Sequence, residues 1–232
     1  MSDKAFLALM LNGPLQSWGF ASRFERRTTG LHPTKSGVAG MICAAMGLVK
    51  GSPRERSVLD KLAASPMTSV SIPRRGTRGE MLPLLRLNDY HTVLGTRLAS
   101  GKSNLNAVLT RREYLLDARF GVVIEGQRPL LEQADSALRD PVWGLWLGRK
   151  SCIPGEPVSR GVFASEPEAL LVLIGERNIG DYTTVREVRG FEEGSDSLND
   201  QPISFGDAAS SGVEGRTFGV RRILLTPGAT NE

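Results

Sequence analysis

Short apolar runs alternate along the chain with longer polar stretches rich in glycine and arginine. The run AFLALMLNG (residues 5–13) stops at Asn-Gly-Pro and predicts a buried first strand. Thr34 is placed to cap a helix over residues 35–48, with Gly47 and Gly51 near its end. Gly37, Gly40, Ala44 and Ala45 give that helix a small-residue face suited to close packing on a sheet. Pro53 opens a second short helix to about residue 64. Residues 67–76 (MTSVSIPRRG) alternate as a strand that ends in a basic turn, and residues 81–91 read as extended. Residues 114–126 (YLLDARFGVVIEG) predict a central strand. An amphipathic helix over 128–141, stopped by Pro141, precedes a compact strand over 142–152 (VWGLWLGRKSC). The order β-α-β, then β-α-β, predicts an α+β, ferredoxin-like core over residues 1–155.

Beyond residue 156 the pattern changes. EALLVLIGE (168–176) and GRTFGVRRILLTP (215–227) read as extended runs around a Gly-, Ser- and Asp-rich stretch from 192 to 215. They predict a smaller, mostly β part over 156–232 with a long loop. The stretch from 88 to 110 is long for a loop inside a domain, and carries Arg97 and Lys102 with few acids. A projecting hairpin that touches a bound strand is one reading; a flexible insertion is the other.

The 232 residues, 40% of them hydrophobic, suffice for one large domain or one domain with an appendage. Basic residues exceed acidic ones by 29 to 25, so their distribution carries more information than their sum. Two cysteines, Cys43 and Cys152, argue against a disulfide scaffold and suit a reducing compartment. The N-terminal apolar run is too short to span a bilayer. A cytoplasmic protein is expected.

The segment GLHPTKSGVAGMICAAMG, from Gly30 to Gly47, approaches a nucleotide-binding P-loop but lacks the second glycine before Lys35. Pro33 removes a further backbone donor. GTRLASGKS, from Gly95 to Ser103, has one intervening residue too many. Neither supports an ATPase. The histidines are His32 and His91, and no zinc-protease, paired-cysteine or nucleophile-elbow motif is present. No catalytic residue, metal or cofactor is expected.

The basic residues fall in clusters beside glycines and aromatics: Arg23, Arg26 and Arg27 near Trp18 and Phe20; Lys35 beside Ser36; Arg74, Arg75 and Arg78; Arg111 and Arg112; Arg149 and Lys150; Arg216, Arg221 and Arg222. Guanidinium planes and rings together offer phosphate contacts and stacking for single-stranded RNA. At Lys35 and Ser36, the open N–H groups of a helix start can hold a phosphate. Equally, Thr34 caps the helix there and Lys35 points to water.

Five ordered segments carry a resemblance: GPLQSWG, HPTKSGVAGMICAAMGL, DYHTV, RREYLLDARFGVVIEG and LWLGRKSCIPGEPV. They resemble the CasD family, the type I-E members of the Cas-five group and subunits of the CRISPR surveillance complex Cascade. The likeness spans about residues 5–158 and is weaker in the C-terminal GRTFGVRRILL. It implies an RRM-like (RAMP) core with a thumb hairpin at about 88–112. It implies a non-catalytic subunit that binds and caps the 5′ handle of the CRISPR RNA, with no cofactor. Implied partners are a Cas-seven-type backbone subunit, the large subunit and, through the complex, target DNA. With the charge pattern, it makes Gln16, Ser17, Trp18, Arg23, Arg26, Arg27, Lys35, Ser36, Arg74, Arg75, His91, Arg97, Arg111, Arg112, Arg149 and Lys150 the candidates for RNA contact. The competing expectation is a metal-independent endoribonuclease acting on precursor CRISPR RNA, as in type I-C relatives, with Tyr90, His91 and Arg97 managing protons and charge.

Overall fold

β1 (Lys4–Asn12) is buried along almost its whole length, because its two faces meet two different layers. Leu7, Leu9 and Leu11 point into one hydrophobic cluster, and Phe6, Ala8 and Met10 into another. A computed structural model describes residues 3–19, 25–98, 100–104, 106–190, 193–206 and 216–229. The chain continues through β2 (Leu15–Gln16), β3 (Arg26–Arg27), α1 (Lys35–Ala45) and α2 (Pro53–Ala64). Then come β4 (Met67–Ser71), β5 (Arg74–Arg75), β6 (Met81–Leu82), β7 (Leu85–Val93) and β8 (Val108–Leu116). β9 (Arg119–Gln127), α3 (Arg128–Arg139), β10 (Ser159–Phe163) and α4 (Glu166–Ile174) follow. The chain closes with β11 (Thr184–Glu187), β12 (Asp196–Ser204) and β13 (Thr217–Thr226).

The main sheet runs β10-β1-β9-β4-β11-β13-β12. Its first four strands, in chain order 4-1-3-2 and all antiparallel, are a ferredoxin-like core. α1, α2 and α3 cover one face through Val38, Ile42, Leu59, Leu62, Leu131 and Ala134. α4 covers the other through Ala169, Leu173 and Ile174. That second face is therefore closed to a ligand at α4. β11, β13 and β12 extend the same sheet, so the C-terminal strands share the core's hydrogen-bond ladder. No helix among the described residues is long and apolar enough to cross a membrane.

The expected thumb is a β-hairpin whose strands reach beyond 88–112. β7 and β8 pair without interruption from Leu85↔Leu116 to Val93↔Val108. Toward its tip, Arg97 bridges to Ser103. On its other edge, β8 pairs with β2 and with β3.

Four expectations about elements change. Residues 114–126 are two strands rather than one, because the chain turns at Asp117 (φ 46°). Residues 142–152 are turns, not a strand: Leu147 N donates to the Cys152 carbonyl at 2.7 Å, closing a loop through Gly148 at φ +95°. EALLVLIGE is the helix α4, capped by Ser165, whose side chain accepts from Glu168 N. The polar stretch from 192 to 215 contains β12. The small-residue face of α1 also meets something other than the sheet. A Cβ on Gly37 would lie 3.0 Å from the Trp18 ring, and one on Gly40 3.6 Å from Phe205.

Candidate nucleic-acid interface

The loop between β1 and β3 is held by its own polar groups. Gln16 is fully buried and its Nε2 donates to the carbonyls of Leu11 (3.0 Å) and Ala118 (2.6 Å). Trp18 is also buried, and its Nε1 donates to Gln16 Oε1 at 3.0 Å. Ser17 Oγ donates to the Glu113 carbonyl at 3.2 Å. Every polar group so engaged removes a donor that RNA would need, so Gln16 and Trp18 are joints of the scaffold rather than RNA contacts. Gly148 backs this joint. A Cβ there would fall 1.8 Å from the Ser17 carbonyl oxygen, at a φ that L side chains rarely adopt. Gly148→Ala should cost about 1–3 kcal/mol by overpacking, read as a lower urea midpoint with an unchanged slope. A midpoint within error of wild type would contradict this close approach.

The start of α1 corrects the expectation for Lys35. Lys35 is 3% exposed, and its Nζ lies 2.8 Å from both carboxylate oxygens of Glu187 and 2.6 Å from the Ala63 carbonyl. Its backbone N–H donates to Asp200 Oδ2 at 2.9 Å. Asp200 in turn receives Arg221 Nε (2.8 Å) and Nη2 (2.7 Å). The anion at this helix N-terminus is thus the protein's own carboxylate, favoured by the open N–H groups and the helix dipole. Burial pushes the Lys35 pKa down, and the Glu187 charge works against that shift. Burial also lowers the His32 pKa from its ordinary value of 6.5, opposed by the Pro33 carbonyl. Burial, with the Glu55 charge, raises the Cys43 thiol to about 12, which keeps it protonated and inert.

An open cavity of about 870 Å³ is lined on the α1 side by Ser36, Gly37, Gly40 and Ala44. The loop after α3 contributes Trp143, Trp146, Arg149 and Lys150, and the β12–β13 side contributes Phe205, Arg216 and Phe218. Arg27 and Lys50 complete its cationic lining. The acid among the described lining residues, Glu55, is buried, and its Oε2 accepts from Gly51 N at 2.6 Å. Trp143 is 43% exposed and Phe218 40%. Lys150 Nζ sits 5.7 Å from the Trp146 ring centroid. Arg149 stacks 4.8 Å from the Tyr114 ring and donates to the carbonyls of Glu113 (3.0 Å) and Arg27 (2.6 Å). It pins β3 to β8 while facing the cavity.

Arg27, Ser36, Arg149 and Lys150 therefore meet in one place, as does Ser17 by its position in the lining. The other described candidates do not line it. Arg74 pairs with Asp117 at 3.2 Å, and Arg75 Nη1 donates to the Gly79 carbonyl. Arg97 lies toward the hairpin tip. Arg26 and Arg111 stand in register on neighbouring strands, as do Arg27 and Arg112. Successive residues of a strand face opposite sides, so the Arg111–Arg112 pair cannot act on one surface. His91 shares the Arg112 face, with Nδ1 3.8 Å from Asp89 Oδ2. Arg23 lies outside the described residues. Sequence reasoning passed over Lys50, Trp143, Trp146, Phe205 and Phe218 as contacts; the two tryptophans beside GRK were the available signal. Among the described residues, no group of three or more His, Cys, Asp or Glu is placed to hold a metal ion.

Residues 6–223 match the family model described as CRISPR-associated protein (Cas_Cas5). The chain is 32% identical over 174 residues to the CRISPR system Cascade subunit CasD of Escherichia coli (strain K12), covering 73% of this chain and 76% of that protein. A chain from a solved CRISPR RNA-guided surveillance complex superimposes with a TM-score of 0.71 at 29% identity, covering 96% of this chain and 90% of that one. A crystal structure of a Cas protein superimposes at 0.63 with 30% identity, covering 96% and 95%.

Proposed function

From the premise that the chain belongs to the Cas5 family of CRISPR-associated proteins, we propose that it is the Cascade subunit that binds and caps the 5′ handle of the CRISPR RNA. The observation that carries this reading is the cavity beside α1. Among the described residues, five cations and four aromatic rings converge there with one carboxylate, which is already engaged. Such a surface neutralises phosphates and stacks splayed bases. The β7–β8 hairpin, which stands off the main sheet, is the element that reaches a Cas-seven-type backbone subunit. The large subunit and target DNA join through the complex.

The protein acts by holding RNA, not by cutting it. In the endoribonuclease reading, Tyr90, His91 and Arg97 share one scissile phosphate. Tyr90 and His91 are neighbours on a regular strand, so their side chains leave opposite faces of the hairpin.

The test is one incubation of purified protein with labelled CRISPR repeat RNA in EDTA, read on native and denaturing gels. A shifted, intact RNA is expected. A specific metal-independent cut, lost in His91→Ala or Tyr90→Phe, would overturn the non-catalytic reading.

A further inference from the structure

α4 closes the second face of the sheet only along its own length. It stops at Gly175, in the left-handed region at φ 69°. Beside that end, an open cavity of about 560 Å³ remains on the α4 side, a volume within the range of small-molecule sites. Its apolar lining is Ile72, just after β4, with Leu173 and Ile174 of α4. Arg119, Glu176, Arg177 and Tyr182 supply its polar groups. Leu173, Ile174 and Tyr182 pack with Phe6, Ala8 and Met10 of β1. The sheet therefore separates this cavity from the one beside α1.

The fold leaves these cations unneutralised. Arg119 and Arg177 are exposed, and neither has an ion-pair partner among the described residues. Among the described residues, Arg119 commits only its Nε, to Met10 Sδ at 3.3 Å, and both Nη groups stay open. Asn12, in register with Arg119, donates to Glu156 at 2.7 Å, and Arg160 holds the same carboxylate. Arg177 Nη1 donates to the Tyr182 hydroxyl at 3.3 Å. Tyr182 is 4% exposed, and its own O–H proton has no acceptor among the described residues. A buried donor without an acceptor calls for an explanation. The negative end of the α4 dipole favours cations here, but among the described residues neither guanidinium bonds a carbonyl of that helix.

We propose that this cavity binds a small phosphomonoester with a flat apolar body, of which a nucleoside monophosphate is the simplest. Two guanidinium groups on separate elements close on a tetrahedral phosphate, and the Tyr182 O–H donates to it. The base lies on Ile72, Leu173 and Ile174. A bare phosphate would leave most of the 560 Å³ unfilled. The site goes beyond handle binding and does not depend on it, because it opens on the opposite face of the sheet.

The test is calorimetric titration of the purified full chain with AMP, inorganic phosphate and adenosine, each with and without saturating handle RNA. AMP should bind with a Kd below about 1 mM, and phosphate and adenosine at least about tenfold more weakly, since each keeps part of the contacts. Handle RNA should leave AMP binding unchanged. Arg119→Gln/Arg177→Gln should weaken AMP at least about tenfold, with the urea midpoint and handle affinity of wild type. Tyr182→Phe, which keeps the ring in the core, should weaken AMP about fivefold. Arg119→Lys/Arg177→Lys, which keeps both charges, should restore part of the affinity. No AMP binding, or equal affinity for AMP and inorganic phosphate, would overturn the site. So would displacement of AMP by handle RNA, which would put the nucleotide in the cavity beside α1. Failure of the handle reading looks different: RNA would not bind, while AMP still would.

Discussion

Asp200→Ala should cost about 3–5 kcal/mol, the range for leaving a buried charge without its partner. Asp200 is 1% exposed and sits where three elements meet. It accepts two hydrogen bonds from Arg221 on β13 and one from the first helical N–H of α1. Its removal strands an Arg221 guanidinium that is 1% exposed and whose Nη1 already has no partner among the described residues. The loss is a large share of the ~5–15 kcal/mol that holds a typical domain, so urea unfolding should start near zero denaturant or expression should fail. The double variant Asp200→Leu/Arg221→Met should recover most of that stability, because it removes both charges together. A single variant within about 1 kcal/mol of wild type would mean that water enters the site and solvates Arg221.

Arg27→Gln/Lys50→Gln/Lys150→Gln should weaken handle binding roughly a hundredfold while leaving the fold intact. All three side chains are exposed around the cavity, and no ion pair among the described residues uses them. Each neutralisation removes about 1 kcal/mol of charge-assisted contact, and three together give the hundredfold. Arg149 is left alone by design. Its guanidinium also ties β3 to β8, so its loss would mix folding with binding.

The core was legible because β1, β4, β9 and α1 to α3 carry apolar patterns complete within each element. Three features hid the rest. β12 reads as loop because its inward positions are Leu198, Asp200 and Pro202; the alternation is intact, but its central place holds a charge that only Arg221 and α1 explain. α4 reads as a strand because Leu171 and Val172 stay exposed, at 52% and 46%, so no polar face interrupts the run. The Ser165–Glu168 pair was the readable sign of a helix start. Lys35 reads as an open cation because its partner, Glu187, is 152 positions away.

The candidate site shows the same division. The segments that carry the family resemblance are largely joints: Gln16, Trp18 and Gly148 hold loops together, and Lys35 ties α1 to β11. The cavity draws much of its aromatic and cationic lining from Lys50, Trp143, Phe205, Arg216 and Phe218. Those positions lie far apart in sequence: the Val142 N–H to Ala45 carbonyl bond (2.9 Å) brings the segment of Trp143 to the end of α1, and the extension of the sheet by β11, β13 and β12 brings Phe205, Arg216 and Phe218.

The central claim is that RNA phosphates lie along the cavity beside α1. The salt dependence of handle binding tests it most directly, measured for wild type and for the Arg27, Lys50 and Lys150 triple variant at matched temperature and pH. Each phosphate contact to a single strand contributes about 0.7 to the log–log slope. The variant slope should be shallower by about 2, with an unfolding midpoint near that of wild type. A variant that binds more weakly with an unchanged slope, or binds as wild type does, would place the RNA on another surface of the molecule.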